Sequence, residues 1–382
     1  MQKRPMTVIA LNALQVSNRS GTGYYSQKII KYVPSVQPRL RYLIILPASF
    51  RANPLSQELA RMPNVQLKFV RAASLAARLL FEQLILPRLL AKARVDLLHS
   101  LAFVAPLHLR TKSIVTVHDL TFELFPETIT GLRRLYLGKA TKLSARLADR
   151  VIAVSEAVRT DLVKHLSLEP KSVVAVSEGG LEARGLKREV RALQLKQLLG
   201  WSEPYILFIG TMEPRKNLKT LLAAFSVLHT RFNSRCKLVI VGRKGWLTAD
   251  MRRSLAKSGV EDDVVFTGFL PDAVVISLMQ DASMFIMPSL YEGFGLPLVT
   301  AMACQTPIAA SRAGSIPEVV GDAAVLFDPL NVEEMAESMH RILTSPALVK
   351  RLVEAGERRC ERFSWARCAL ETVGVYEQVL SA

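Results

Sequence analysis

Apolar residues in this chain fall into short, nearly unbroken runs, separated by helix-length stretches in which apolar positions recur every three or four residues. Such runs predict strands buried on both faces, and the stretches between them predict crossover helices, so the pattern predicts a parallel α/β architecture. Seven runs fall in the first half, at residues 8–11, 41–46, 65–69, 96–99, 113–117, 150–154 and 172–176. Beyond a polar stretch at 179–191, six more follow at 205–209, 237–241, 264–267, 284–287, 307–310 and 324–327. The repetition predicts two Rossmann-like, doubly wound domains, residues 1–185 and 186–365, with loops at the strand C-termini around a central cleft. A chain of 382 residues exceeds what one hydrophobic core usually supports, which agrees with two domains.

Two of the loops carry chemistry. The run at 284–287 is followed by Tyr291-Glu292-Gly293-Phe294-Gly295-Leu296-Pro297 and then an apolar helix-like segment. A strand, a turn with two glycines and a helix start aim backbone N–H groups at an anion, here with a carboxylate alongside, and read as a phosphate site with a sugar-orienting acid. The run at 205–209 is followed by Gly210-Thr211-Met212-Glu213-Pro214-Arg215-Lys216-Asn217 and an amphipathic helix at 218–229. Cations at a helix N-terminus oppose its dipole, so Arg215 and Lys216 predict a bound anion. His118, directly after the run at 113–117, stands at a third such loop mouth.

Charge narrows the partners. Residues 1–185 hold 27 Lys and Arg against 12 Asp and Glu, which is nearly all of the net charge of +17. The excess concentrates in Arg71, Arg78, Arg88, Lys92 and Arg94, and in Arg133, Arg134, Lys139, Lys142, Arg146 and Arg150, around helical apolar patterns that include Leu132, Leu135, Leu137, Leu143 and Leu147. These are either solvated helix faces or basic helices lying on an anionic membrane surface. The basic segments lack interleaved aromatics, so no nucleic acid partner is expected. No apolar run reaches the length of a membrane span, and the start, interrupted by Asn12, reads as a first strand rather than a signal peptide. Cys236, Cys304, Cys360 and Cys368 form no metal-like cluster and suit reduced, buried thiols of a cytoplasmic protein. The acidic trio Glu261-Asp262-Asp263 suits an exposed turn, and no metal is expected.

Taken in order, several segments resemble the retaining glycosyltransferases of the GT-B fold, family 4. They are Ser20-Gly21-Thr22-Gly23-Tyr24, Val117-His118-Asp119-Leu120, Val154-Ser155-Glu156, the Gly210 loop, Glu292 to Pro297, and Ser315-Ile316-Pro317-Glu318-Val319-Val320. Phe363-Ser364-Trp365 with a helix over 366–382 is similar to the family's terminal helix that crosses back onto the N-terminal domain. With Phe125-Pro126-Glu127, the set looks most like mannosyl- and rhamnosyltransferases of surface polysaccharide assembly.

The resemblance implies transfer of a sugar from a nucleotide-sugar, GDP- or dTDP-linked, to a lipid-linked or polysaccharide acceptor, with no further cofactor. It places donor binding in the C-terminal domain and acceptor binding in the N-terminal one, at the cytoplasmic face of the inner membrane. Glu292 and His118 are the expected catalytic residues. Arg215, Lys216, Gly21, Gly23, Gly293, Phe294, Gly295 and Leu296 are expected at the donor diphosphate. The family's second glutamate, eight positions after the first and bound to the donor ribose, is Thr300 here. Losing that charge-assisted bond costs roughly 1.5–3 kcal/mol, about ten- to a hundredfold in affinity. Gln305 stands where the family has glycine, and Thr211 where it has arginine. Two other readings stay open: a catalytically lapsed GT-B scaffold that binds nucleotide, prompted by Thr300, and a basic nucleic-acid binder. If the site assignment holds, Glu292→Ala is expected to lower turnover without unfolding the protein.

Overall fold

Every one of the thirteen apolar runs is a strand, within a residue or two of its expected bounds. The computed structural model describes residues 6–17, 20–71, 74–126, 131–180, 204–243, 255 and 258–382, and side chains in these spans except those of Leu75 and residues 131–136. Glu127, the side chains of Leu132, Arg133, Arg134 and Leu135, and the polar stretch beyond residue 180 therefore lie outside the described residues. The chain divides into two compact units, one of Met1–Gly179 with Ser364–Ala382 and one of Gly180–Phe363.

The first unit holds β1 (Val8–Asn12), β2 (Arg41–Pro47), β3 (Val65–Val70), β4 (Leu97–Ser100), β5 (Lys112–Val117), β6 (Arg150–Ala153) and β7 (Val173–Ala175). They pair in parallel in the order β3-β2-β1-β4-β5-β6-β7. Burial explains the sequence pattern. Strand β2, inside the sheet, buries every residue after Arg41, whereas the edge strand β3 alternates half-buried and exposed positions until its last residue, as a strand covered on one face does. Ala10, Leu43, Ile45 and Leu98 meet Phe81, Leu86 and Leu90 in a core on one face of the sheet.

After Ser20 the chain forms a helix, Gly21–Val36, that begins at the glycines themselves. Neither Gly21 nor Gly23 has positive φ, so what they give the first turn is bare backbone rather than an unusual conformation. The Val154-Ser155-Glu156 segment is a helix cap: Ser155 Oγ accepts the Val158 N–H at 3.1 Å and opens the helix Glu156–Leu166.

The last helix, Trp365–Ser381, belongs to the first unit. Trp365 meets Tyr24 and Tyr25 edge-on, with ring centroids 5.7 and 6.1 Å apart. Further along, Tyr376 Oη lies 2.6 Å from His99 Nδ1, and Lys112 Nζ donates to the Val379 carbonyl at 2.7 Å. His99 Nε2 in turn lies 2.8 Å from Thr116 Oγ1, which is 3.2 Å from Tyr25 Oη. A buried polar chain thus runs from the last helix through the end of β4 to the first helix.

The second unit holds β8 (Tyr205–Ile209), β9 (Lys237–Val241), β10 (Val264–Gly268), β11 (Met284–Met287), β12 (Ile308–Ser311) and β13 (Ala324–Phe327). Their order is β10-β9-β8-β11-β12-β13, again parallel throughout. Its core gathers Phe208, Phe225, Ile240, Ile286, Phe327 and Met339. Each sheet grows outward in both directions from its central strands, so each has one point where the strand order reverses: between β1 and β4, and between β8 and β11. Ligands of open α/β sheets bind beyond the strand C-termini at such points.

Candidate active site

In the second unit the loops that leave β8 and β11 are laced together at the reversal point. Leu290 N–H donates to the Arg215 carbonyl at 2.7 Å, and Arg215 Nη1 donates to the Tyr291 carbonyl at 2.8 Å. Pro214–Lys216 forms a 3₁₀ turn that ends on Asn217 in left-handed conformation, φ 57°. Asparagine tolerates that backbone well, and its Nδ2 donates to the carbonyls of Pro288 (3.1 Å) and Pro329 (2.6 Å).

Glu292 is the hub, buried at 6% exposure. Its carboxylate takes Arg215 Nη1 at 2.9 Å, Lys216 Nζ at 2.5 Å and Ser289 Oγ at 2.6 Å. Burial alone would raise its pKa; the Arg215 and Lys216 charges, with the Lys216 and Ser289 hydrogen bonds, outweigh it and hold the group at about 2. Glu292 is therefore ionised throughout the physiological range and acts as a hydrogen-bond acceptor, not as a proton donor. Arg215 also meets Glu213, Nη2 to Oε1 at 2.8 Å. Two carboxylates of the chain itself thus stand against the two cations.

The backbone around Glu292 is equally constrained. Gly314 lies at φ +53°, where a Cβ would stand 2.7 Å from the Glu292 carbonyl oxygen and 2.9 Å from its nitrogen. Ser315 Oγ reaches the carbonyls of Glu292 (3.1 Å) and Phe294 (2.9 Å), and Ser311 Oγ donates to the Ser289 carbonyl at 2.5 Å. Gly295, at φ +95°, caps the helix Leu296–Ala303. Gly293 and Phe294 complete the turn, so Gly293 to Leu296 lie together at a helix N-terminus beside the Arg215 and Lys216 turn.

Thr300 is 1% exposed, and its hydroxyl donates to the Leu296 carbonyl one turn back, at 3.1 Å. Gln305 follows at the C′ position of the same helix, with φ 60°. Thr306 N–H donates to the Ala301 carbonyl and Gln305 N–H to the Met302 carbonyl, the Schellman pattern in which glycine is the favoured residue. Gln305 Nε2 also donates to Glu357 Oε1 at the surface. Gln305→Gly is expected to raise stability by about 0.5–1 kcal/mol, the left-handed penalty less the extra freedom of glycine in the unfolded chain, read as a higher urea midpoint at unchanged slope.

In the first unit His118 ends β5, 7% exposed. Its Nε2 lies 2.9 Å from the Leu101 carbonyl and its Nδ1 3.3 Å from Glu178 Oε1. A carbonyl only accepts, so Nε2 carries the hydrogen in its contact with Leu101. Tyr25 packs edge-on against the ring at 4.8 Å. The acidic trio is a 3₁₀ turn in which Asp263 pairs with Lys237 at 2.6 Å and His229 at 3.6 Å, a fixed corner of the fold.

Two family descriptions match, one in each half of the chain: "Glycosyltransferase Family 4" over residues 39–179 and "Glycosyl transferases group 1" over residues 193–359. The chain belongs to glycosyltransferase family 4. O-antigen chain mannosyltransferase B of Escherichia coli is 28% identical over 377 residues, 94% of this chain and 96% of that protein. Sucrose-phosphate synthase of Thermosynechococcus elongatus superposes with a TM-score of 0.74 at 21% identity, covering 98% of this chain and 99% of that one. Anabaena HepE, solved with UDP, gives 0.71 at 18%, covering 98% and 100%. These likenesses establish the GT-B fold of this glycosyltransferase, and neither the lapsed-scaffold nor the nucleic-acid reading is favoured.

Several positions of this family 4 glycosyltransferase escape a reading of the sequence alone. Glu178 is 4% exposed and pairs with His118; an acid next to Gly179-Gly180 just beyond a strand was the available signal. Ser289 precedes Glu292 by three residues in a loop, where no periodicity marks it. Gly314 stands out only through the Glu292 backbone it touches.

Proposed function

We propose that this enzyme moves a hexose, mannose before rhamnose, with retention, from a GDP- or dTDP-linked donor to a lipid-linked or polysaccharide acceptor of a cell-surface glycan. The observation that carries the reading is Glu292, held ionised between Arg215 and Lys216 at the reversal point of the second sheet. A charged carboxylate there accepts hydroxyls of the donor sugar. The two cations and the N–H groups at Gly293 to Leu296 are aimed at the diphosphate, whose negative charge grows as the glycosidic bond breaks. In the first unit, the bare first-turn backbone at Gly21 and Gly23 suits a phosphate, and His118 suits a sugar hydroxyl. Glu292 is unsuited to proton donation, so the departing phosphate takes the acceptor's proton on the same face of the sugar. The mannose choice follows the E. coli relative's name, and Thr300 takes the ribose contact.

The acceptor's lipid would sit near the basic first unit. Leu80, Leu84 and Ile85, with Leu143 and Leu147, are between 45% and 59% exposed. They stand among Arg78, Arg88, Lys139, Lys142 and Arg146, a composition suited to peripheral contact with anionic lipid. Among the described residues no helix is long and apolar enough to cross a membrane.

A thermal-shift screen against GDP, UDP, dTDP and ADP and their hexose conjugates tests the donor. A ligand at a hundred times its Kd stabilises by about 2.7 kcal/mol, so a rise of several degrees is expected for GDP or dTDP and their conjugates. A rise with UDP alone would overturn the donor choice, and no rise at millimolar ligand would overturn the nucleotide-sugar reading.

A further inference from the structure

Two sequence signals, Phe363-Ser364-Trp365 and the Ser315 to Val320 segment, have no part in the chemistry above, and they meet beside the Glu292 loop. Phe363 is the last residue of the second unit, and the chain returns to the first unit at Ser364. The Phe363 ring stands edge-on to Phe294, with centroids 5.6 Å apart and planes at 79°. Four residues earlier, the Arg359 guanidinium lies over the Phe363 ring at 5.7 Å. Arg359 Nε donates to the Val319 carbonyl at 3.1 Å, and its Nη2 donates to the Glu318 carbonyl. These carbonyls belong to the end of the short helix Ile316–Val320, where acceptors lack partners within the helix. The same helix opens at Ser315, whose hydroxyl reaches the carbonyls of Glu292 and Phe294. The contacts close a circuit from Phe294 through Ser315, the short helix, Arg359 and Phe363 back to Phe294.

We propose that Phe363 and Arg359 are positioning residues for donor binding, acting through Phe294; this rests on the nucleotide-sugar reading above. Within the turn at 293–295 only Phe294 has a side chain, and it is buried, so its ring is the anchor that the two glycines cannot provide. Ser315 fixes the turn by its carbonyls, and Phe363 fixes it by that ring. The N–H groups of the turn are useful to a diphosphate only if they are already aimed at it, because preorganised donors need no rearrangement when charge arrives. Without the Phe363 ring the Ser315 bonds persist and the fold stands, but the turn gains freedom that binding must remove. An edge-to-face aromatic pair is individually modest, so the effect belongs to affinity more than to survival of the domain. Arg359 enters twice, since one guanidinium both caps the short helix and covers the Phe363 ring.

The test titrates the full chain with GDP, UDP, dTDP and ADP by isothermal calorimetry, well below the melting temperature, which is recorded for every variant. The nucleotide that binds the wild type is expected to bind Phe363→Leu about threefold more weakly and Phe363→Ala about tenfold more weakly. Phe363→Tyr keeps the ring and should stay within about twofold of the wild type. Arg359→Lys keeps the charge but loses the planar fork that serves two carbonyls, and should weaken binding about threefold. Phe232→Ala is the control: it deletes a ring stacked on His340 at 4.3 Å, at the far end of the helix Leu218–Phe232, and should lower the melting temperature with nucleotide affinity unchanged. A purely structural Phe363 would behave as Phe232 does, so intact affinity in Phe363→Leu and Phe363→Ala overturns the positioning role. If Phe363→Ala does not fold, the contrast between Phe363→Leu and Phe363→Tyr decides. Failure of all four nucleotides to bind the wild type overturns the donor reading, and this role with it.

Discussion

Replacing Glu292 with alanine is expected to damage the enzyme twice over. Turnover should fall about a hundredfold or more, because the donor sugar loses the group that sets its position. The fold should suffer as well, contrary to what the sequence suggests, since Arg215 and Lys216 would be left largely buried with one carboxylate fewer between them. Removing one partner of a buried ion pair costs roughly 3–5 kcal/mol, a large part of a domain's stability. Glu292→Gln separates the two effects: it keeps an acceptor oxygen for the sugar and for Ser289 but no charge. Its rate should lie between alanine and wild type, measured by steady-state transfer alongside calorimetry. A wild-type rate in both variants would remove Glu292 from the site.

The same carboxyl sets an acid limit. Its folded pKa of about 2 lies below its ordinary value of 4.5, so the unfolded chain binds its proton first as pH falls. The stabilisation, about 3 kcal/mol, is fully present above pH 4.5 and is lost between there and pH 2. In the Gln variant that part of the pH dependence should vanish.

The second large effect belongs to His99, and it begins at milder pH. Burial, followed by the influence of His118, lowers its pKa from 6.5 to about 3. The folded protein therefore holds His99 neutral while the unfolded chain takes up its proton near pH 6.5. Stability is fully present above that pH and falls by about 1.4 kcal/mol per unit down to pH 3. Two units of acidification cost about 3 kcal/mol, and the loss falls on the contact with Tyr376 and the last helix. Urea midpoints at pH 7 and pH 4.5 measure it. In His99→Asn the difference between the two should shrink, even though the variant starts less stable for want of a ring that fits both Tyr376 and Thr116. An undiminished difference would assign the acid sensitivity elsewhere.

The fold could be read almost entirely from the chain, because a parallel strand buried on both faces is a continuous apolar run, and a run such as Met284–Met287 has few other uses. The glycine loop after it was legible for the same reason: it occupies the junction between that run and a helix. What could not be read is who meets whom. The local dipole at Arg215 and Lys216 is visible in the sequence, but the carboxylate that pairs with them lies 77 and 76 positions further on. Thr300 stands where the resemblance places a ribose glutamate, and nothing in the sequence shows that its hydroxyl also meets the Leu296 carbonyl one turn back. His99 reads as the end of a strand, and its isolation from water depends on a helix almost 280 residues later.

That last helix has a consequence for how the protein is made. The second unit is one continuous segment, Gly180–Phe363, whereas the first is interrupted by it and is completed by Ser364–Ala382. A ribosome delivers seven strands first, then a whole second domain, and only afterwards the residues that cover Tyr25 and satisfy His99. Through that interval Tyr24 and Tyr25 lack Trp365 and His99 lacks Tyr376, which makes the emerging chain, more than the finished enzyme, the form most in need of a chaperone.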